Sequence, residues 1–196
     1  MDSRKFIELM HLAERLKDTP RHSWTSQGRR ESVAEHSWRL ALMAVFLKDD
    51  FPEADWEKVL TMAVLHDMGE CFTGDIPAFE KTDEDRRTEY ERLRAWCASL
   101  PQPYDSQTAS LFQEMEELKT LESRIVKALD KMEAMIQHNE ADISTWLPLE
   151  YDLNLTYGEA QAAFSEKMKQ LRREIKLETI EKMRAEGGKA KTGAET

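Results

Sequence analysis

Four residues able to bind a cation or move a proton stand where helix cores ordinarily carry apolar side chains: His36, His66, Asp67 and Asp130. His36 takes a matching helical position within the apolar series Val33, Leu40, Met43 and Leu47, and His66 follows Val59, Met62 and Ala63. Asp67 lies one turn beyond Ala63 and Val64, and Asp130 continues the line Val126, Asp130, Ala134. Burying a polar group without a partner costs about 2–7 kcal/mol. Taken singly, such a residue is ordinarily a satisfied core histidine, or an aspartate paired with an arginine such as Arg39 or Arg124. Four together on three helices point to one shared partner, and a divalent cation fits best. Imidazole nitrogen combined with carboxylate oxygen suits Mn, Co, Fe, Ni or Zn better than Ca or Mg, which prefer oxygen alone. Such an ion acidifies water and screens the charge of a phosphoryl group.

Those side chains need particular elements to position them. Helix neighbours diverge by about 100°, so His66 and Asp67 can flank one ion only from a helix end, which Gly69 supports. Spacing and end signals predict helices over residues 3–17, 32–49, 55–68, 83–98, 105–118, 123–138 and 158–185. Ser32 and Glu35 form a capping box at the start of the second. Phe6, Ile7, Met10 and Leu16 are the expected inner face of the first helix, and Ile125, Leu129, Met132 and Ile136 that of the sixth. Loops are expected through Pro20 and Gly28, at Pro101–Pro103, and around Pro148 and Asn154, with a turn at 74–77. No period-two alternation predicts a sheet, and there is no internal repeat. The expectation is an all-α bundle forming a single domain over 1–186, followed by a disordered tail over 187–196.

Composition sets outer bounds. The 196 residues are 40% hydrophobic and 34% charged, a soluble globular balance for one domain. A formal net charge of −10 argues against a nucleic-acid groove, although an ion and a few arginines can still attract a small anion locally. Cys71 and Cys97 have no paired spacing for zinc or redox chemistry and read as reduced thiols. No apolar run resembles a leader or a membrane span, so the cytoplasm is the expected location.

Two segments carry a resemblance to a known family. They are Glu31-Ser-Val-Ala-Glu-His-Ser37 and His66-Asp-Met-Gly-Glu-Cys-Phe-Thr-Gly-Asp-Ile-Pro77. With Asp130, they resemble the signature of the HD-domain metal-dependent phosphohydrolases, closest to the 5′-deoxynucleotidase branch. Pro20-Arg-His-Ser-Trp24 and Leu129-Asp-Lys-Met-Glu133 also fit, and the resemblance runs from about residue 5 to 157. It implies an HD-domain helical bundle in which His36, His66, Asp67 and Asp130 ligate the metal. Glu70 matches a catalytic acid; its place four residues after His66 and three after Asp67 agrees independently. Asp75 matches a substrate-contacting carboxylate, and Arg21 and Trp24 match an Arg and a Trp of the nucleotide pocket, although two residues separate them here. Arg29 or Arg30 could approach the phosphate, and the sequence does not choose between them.

The function so implied is hydrolysis of (deoxy)nucleoside 5′-monophosphates by a homodimer holding one metal ion per chain. Relatives with more metals carry extra histidines before the final Asp, and this chain has none between Asp67 and Asp130. That absence disfavours a phosphodiesterase acting on dinucleotides. A dNTP triphosphohydrolase of the same fold would need more Lys and Arg near the site. A non-catalytic nucleotide-binding or scaffold protein would have no need of Glu70.

Overall fold

The computed structural model describes residues 1–192, with 186–192 given as helical backbone. In chain order the elements are α1 (Ser3–Ala13), α2 (Arg15–Asp18), β1 (Pro20–Trp24), β2 (Arg30–Ser32), α3 (Val33–Leu47), α4 (Trp56–Leu65) and α5 (Glu70–Thr73). There follow α6 (Asp83–Ala98), α7 (Tyr104–Glu117), α8 (Leu121–Glu140), α9 (Glu150–Thr156), α10 (Glu159–Ala162) and α11 (Glu166–Thr192). The chain forms two compact units: residues 1–22 with 30–126, and residues 23–29 with the chain from Lys127 onward.

In the first unit, local chemistry fixes where the site-bearing helices begin. Ser32 is extended, its hydroxyl accepts from the Glu35 N–H at 3.3 Å, and the Glu35 carboxylate accepts from the Ser32 N–H at 2.9 Å. This is the expected capping box, and it sets the register of His36 one turn into α3. Asp55 caps α4 through the Lys58 N–H at 3.1 Å, and Thr82 with Asp85 makes a second capping box on α6. Helix α4 packs along α3, and α6 packs on α5 and α7. Leu16, Val33, Met68, Cys71, Trp96, Cys97 and Leu100 form a core cluster directly behind the turn that follows His66. Burial pushes the Cys71 thiol up to about 11, so it is no thiolate nucleophile.

Three expectations are corrected here. The segment around 20–32 is not all loop: β1 and β2 pair as a two-stranded hairpin. Its tip is closed by Thr25 and Arg29, with Gly28 at a φ of 78°. Helix α4 stops at Leu65 rather than running to 68. Finally, Phe6, Ile7 and Met10 of α1 face solvent, and of the expected inner face only Leu16, on α2, is buried.

In the second unit, α11 packs on α9 and α10. Buried Arg172 donates from Nε to the Tyr157 carbonyl at 2.7 Å and from a terminal nitrogen to the Asn154 carbonyl at 2.9 Å. Residues 150–156 form a helix where a loop was expected, because the Glu150 carboxylate accepts from the Leu147 N–H at 2.7 Å and starts the turn. Helix α11 continues past 185 to Thr192, into the stretch read as a tail; residues 193–196 of that expected tail lie outside the described residues. Gly158 separates α9 from α10 at a φ of 81°, and a Cβ there would lie 2.9 Å from Lys131 Cβ. Gly158→Ala combines left-handed strain with overpacking, so a loss of about 2 kcal/mol or more is expected. A thermal melt should show it as a midpoint roughly 4–8 °C lower.

Candidate metal centre

The end of α4 turns two sequence neighbours toward one point. His66 is the last residue to close an α-type bond, its N–H donating to the Met62 carbonyl at 2.8 Å. After it the chain tightens into i→i−3 bonds: Glu70 to Asp67 at 3.0 Å, Cys71 to Met68 at 3.3 Å and Phe72 to Gly69 at 3.0 Å. This narrower winding releases Asp67 from the helical divergence of its neighbour. Gly69 permits it sterically, since a Cβ there would meet Glu89 Cγ at 3.0 Å.

His36 Nε2 lies 3.2 Å from His66 Nε2, and Asp67 Oδ2 lies 3.0 Å from His66 Nε2 and 3.7 Å from His36 Nε2. His66 Nδ1 sits 3.0 Å from the Ala63 carbonyl, which can only accept, so Nδ1 carries hydrogen and Nε2 of the neutral ring presents its lone pair. Two imidazole nitrogens and a carboxylate oxygen therefore converge at the spacing of a metal site. His36 is fully buried. The donor set fits a divalent ion of the N/O-binding kind.

Around this triad stand a buried carboxyl and a cation. Glu70 is buried, and its Oε2 finds no hydrogen-bond partner among the described residues. Burial raises its carboxyl well above the ordinary glutamate range; Asp67 and then Asp75 add to the rise, and Arg21 opposes it. Asp75 is half-buried directly after Gly74, whose φ of 77° makes the turn. Arg21, on β1, places a terminal nitrogen 3.5 Å from Asp67 Oδ2 and its Nε 3.3 Å from Glu31 Oε2. Arg39 reaches the other Glu31 oxygen at 3.9 Å.

The HD domain family matches residues 13–172. The chain belongs to the HD domain family. It is 32% identical over 142 residues to the human 5′-deoxynucleotidase HDDC2, an alignment spanning 70% of this chain and 69% of that protein. It is also 32% identical over 162 residues to the Schizosaccharomyces pombe 5′-deoxynucleotidase hdd1, spanning 74% of this chain and 81% of the other. Among solved structures, a Pyrococcus furiosus protein described as conserved hypothetical matches at 30% identity and a TM-score of 0.63, over 85% of this chain and 99% of the other. A metal-dependent phosphohydrolase from Magnetospirillum magnetotacticum, at 24% identity, matches over 90% of this chain and 91% of its own with a TM-score of 0.72, a likeness of fold.

Within this HD chain the sequence-derived residues divide between the units. His36, His66, Asp67, Glu70, Asp75 and Arg21 belong to the first. Trp24, Arg29 and Asp130 belong to the second. There the Trp24 carbonyl accepts from Gln137 Nε2 at 2.7 Å, Arg29 is exposed, and buried Asp130 sits between Lys127 at 3.1 Å and Lys131 at 3.3 Å. Arg30, the alternative to Arg29, donates to the His22 carbonyl within the first unit.

Sequence reasoning assigned no role to Glu31, the 2% exposed carboxylate that Arg21 and Arg39 share. Its signal was its place on β2 opposite β1, invisible while the hairpin was read as a loop. Glu31→Gln removes the charge holding Arg21 in position. Steady-state kinetics should show KM raised about tenfold, roughly 1.4 kcal/mol of lost substrate binding, with kcat changed less. An unchanged KM would remove Glu31 from the positioning of Arg21.

Proposed function

We propose that this chain hydrolyses nucleoside 5′-monophosphates, the deoxy forms preferentially, to nucleoside and inorganic phosphate. The observation that carries the reading is the convergence of His36, His66 and Asp67 with a buried Glu70 one tight turn beyond Asp67, its carboxyl raised above the ordinary glutamate range by burial. Relatives named 5′-deoxynucleotidases, about 30% identical, support the substrate class.

A divalent ion of the Mn, Co, Fe, Ni or Zn group, one per chain, would add positive charge to a phosphoryl group and acidify water when bound. His36, His66 and Asp67 would hold it, with Asp130 as a fourth ligand on the strength of its sequence motif. Arg21 offsets the negative charge of the phosphate oxygens from beside Asp67. Glu70, whose carboxyl burial raises above the ordinary glutamate range, delivers a proton to the 5′ oxygen as it leaves, which spares the product an alkoxide. Asp75 accepts from a sugar hydroxyl, while Trp24 and Arg29 contribute to the nucleotide pocket. Residues 1–186 act as one HD-type domain in a cytoplasmic homodimer; among the described residues no helix is long and apolar enough to cross a membrane.

The test is phosphate release from a panel of 5′-dNMPs, NMPs and dNTPs, using chelated protein resupplied with single divalent metals. Metal-restored release from monophosphates, greatest for dNMPs, is expected. Triphosphate release from dNTPs would overturn the reading in favour of a triphosphohydrolase, and silence throughout would reject both.

A further inference from the structure

Helix α8 carries two kinds of buried surface. Leu129, Met132 and Met135 belong to the core, while the polar residues Asp130, Glu133 and Gln137 are 9%, 0% and 5% exposed. At 100° per residue those three polar positions fall within one arc of about 60°. A polar group buried in such a stripe needs a bonding partner. Asp130 lies between Lys127 and Lys131. Gln137 reaches much further along the chain: its Nε2 donates to the Trp24 carbonyl at 2.7 Å. Trp24 closes β1, and the tip after it is held shut from within. There the Thr25 N–H donates to the Arg29 carbonyl at 2.7 Å, and the Gly28 N–H to the Thr25 carbonyl at 3.0 Å. Those bonds fix the shape of the tip, and the Gln137 amide fixes its place on α8. Residues 23–29 accordingly belong to the same compact unit as Gln137.

We propose that Gln137 is a positioning residue, holding Trp24 at a set distance from Asp130 so that the pocket accepts the nucleoside end of the substrate while its phosphate end is held for hydrolysis. The inference rests on the nucleotidase reading, in which Asp130 is the fourth metal ligand and Trp24 contributes to the nucleotide pocket. Gln137 itself touches neither substrate nor metal; it acts through the backbone of Trp24.

Two observations favour this role over the plain satisfaction of a carbonyl. Water ordinarily satisfies a carbonyl at a hairpin tip, at little cost. Burying a glutamine for the purpose gives up the rotamer freedom of a long, flexible side chain. The second observation is spacing. Gln137 follows Asp130 by seven residues, two helical turns, so the pair share a face about 10.5 Å apart along the axis. That is about the length of one nucleoside monophosphate. One rigid helix thus carries both the residue assigned to the metal and the anchor of the residue assigned to the nucleoside.

The experiment uses Gln137→Met, which keeps the length of the side chain and removes the donor, with circular dichroism to verify folding. In chelated protein, amide exchange over residues 24–29 is expected to quicken about three- to tenfold, the worth of one hydrogen bond. In the metal-loaded enzyme, KM for 5′-dNMPs should rise by about the same factor with kcat changed less. Inhibition by inorganic phosphate, which has no nucleoside end, should keep its wild-type constant. Trp24→Ala completes a double-mutant cycle, since the carbonyl stays and the ring goes. Adding Gln137→Met to Trp24→Ala is expected to raise KM no further. Unchanged exchange or an unchanged KM in Gln137→Met overturns the proposal. So does phosphate inhibition that weakens in step with KM, the mark of a merely structural role, or a double variant whose losses add. A wild type that releases phosphate from no nucleotide rejects the nucleotidase reading and this inference with it. An active wild type with any of the other adverse outcomes rejects this inference alone.

Discussion

His36→Asn is expected to strip the metal from the enzyme and abolish measurable phosphate release. Changing a residue that merely supports a ligand costs about 10–100-fold, and removing a ligand itself should exceed that range. The reason lies in the facing nitrogens: with His36 Nε2 gone from its place 3.2 Å from His66 Nε2, only two donors of the first unit remain. Stability offers a second readout that does not depend on substrate. A metal at a thousand times its dissociation constant stabilises the native state by about 4 kcal/mol, or roughly 8–16 °C for a chain of this size. The wild type should show that rise over its chelated form, and His36→Asn should lose nearly all of it. Elemental analysis giving one ion per chain in an active variant would sink the triad as the metal site.

Glu70→Gln should separate binding from chemistry. Metal content is expected to stay at the wild-type level, while kcat falls by about 10²–10⁴, the range for losing a positioned proton carrier. The same substitution has a signature in stability. Glu70 is raised in the folded protein, chiefly by burial and then by Asp67 and Asp75, so the native state holds its proton to higher pH than the unfolded chain does. Over the window that begins at the ordinary glutamate value and extends upward, the native state binds more protons, and stability falls as pH rises. The chelated wild type should therefore lose melting temperature between pH 5 and pH 8 more steeply than chelated Glu70→Gln. Parallel melting curves would show that Glu70 ionises freely and would remove it as the proton donor.

What could be read in the sequence was whatever depends on near neighbours. The capping box of Ser32 and Glu35 is a four-residue pattern and appears as expected. The polar interruptions at His36 and His66 are visible against apolar series because burial and ligation compete for the same helical positions. The need to aim adjacent His66 and Asp67 at one ion implied a helix end near Gly69, although α4 stops at Leu65, three residues before the expected end. Apart from the shared site of His36 with His66 and Asp67, pairings across the chain were not legible. Pro20–Trp24 and Arg30–Ser32 do not alternate, so nothing local announced the hairpin that sets Arg21 against Glu31. Phe6, Ile7 and Met10 failed for a different reason. Periodicity reports that a helix has an apolar face, and it does not report whether that face meets the core or solvent.

The tight turn after α4 also concentrates risk. Within residues 66–75 lie two candidate metal donors, the proposed proton carrier and a carboxylate expected to meet substrate, on a segment with little regular structure of its own. It is clasped from α6: Arg92 donates to the Phe72 carbonyl at 2.6 Å, and Glu89, paired with Lys81, lies against Gly69. Sub-global opening of this stretch removes ligation, proton transfer and substrate contact in a single event, with the rest of the unit still folded. The amides of residues 68–74 should then exchange with solvent as one cooperative group, slowed together by metal. The working lifetime of the enzyme is then expected to follow how long α6 keeps that clasp closed rather than the melting of the whole chain.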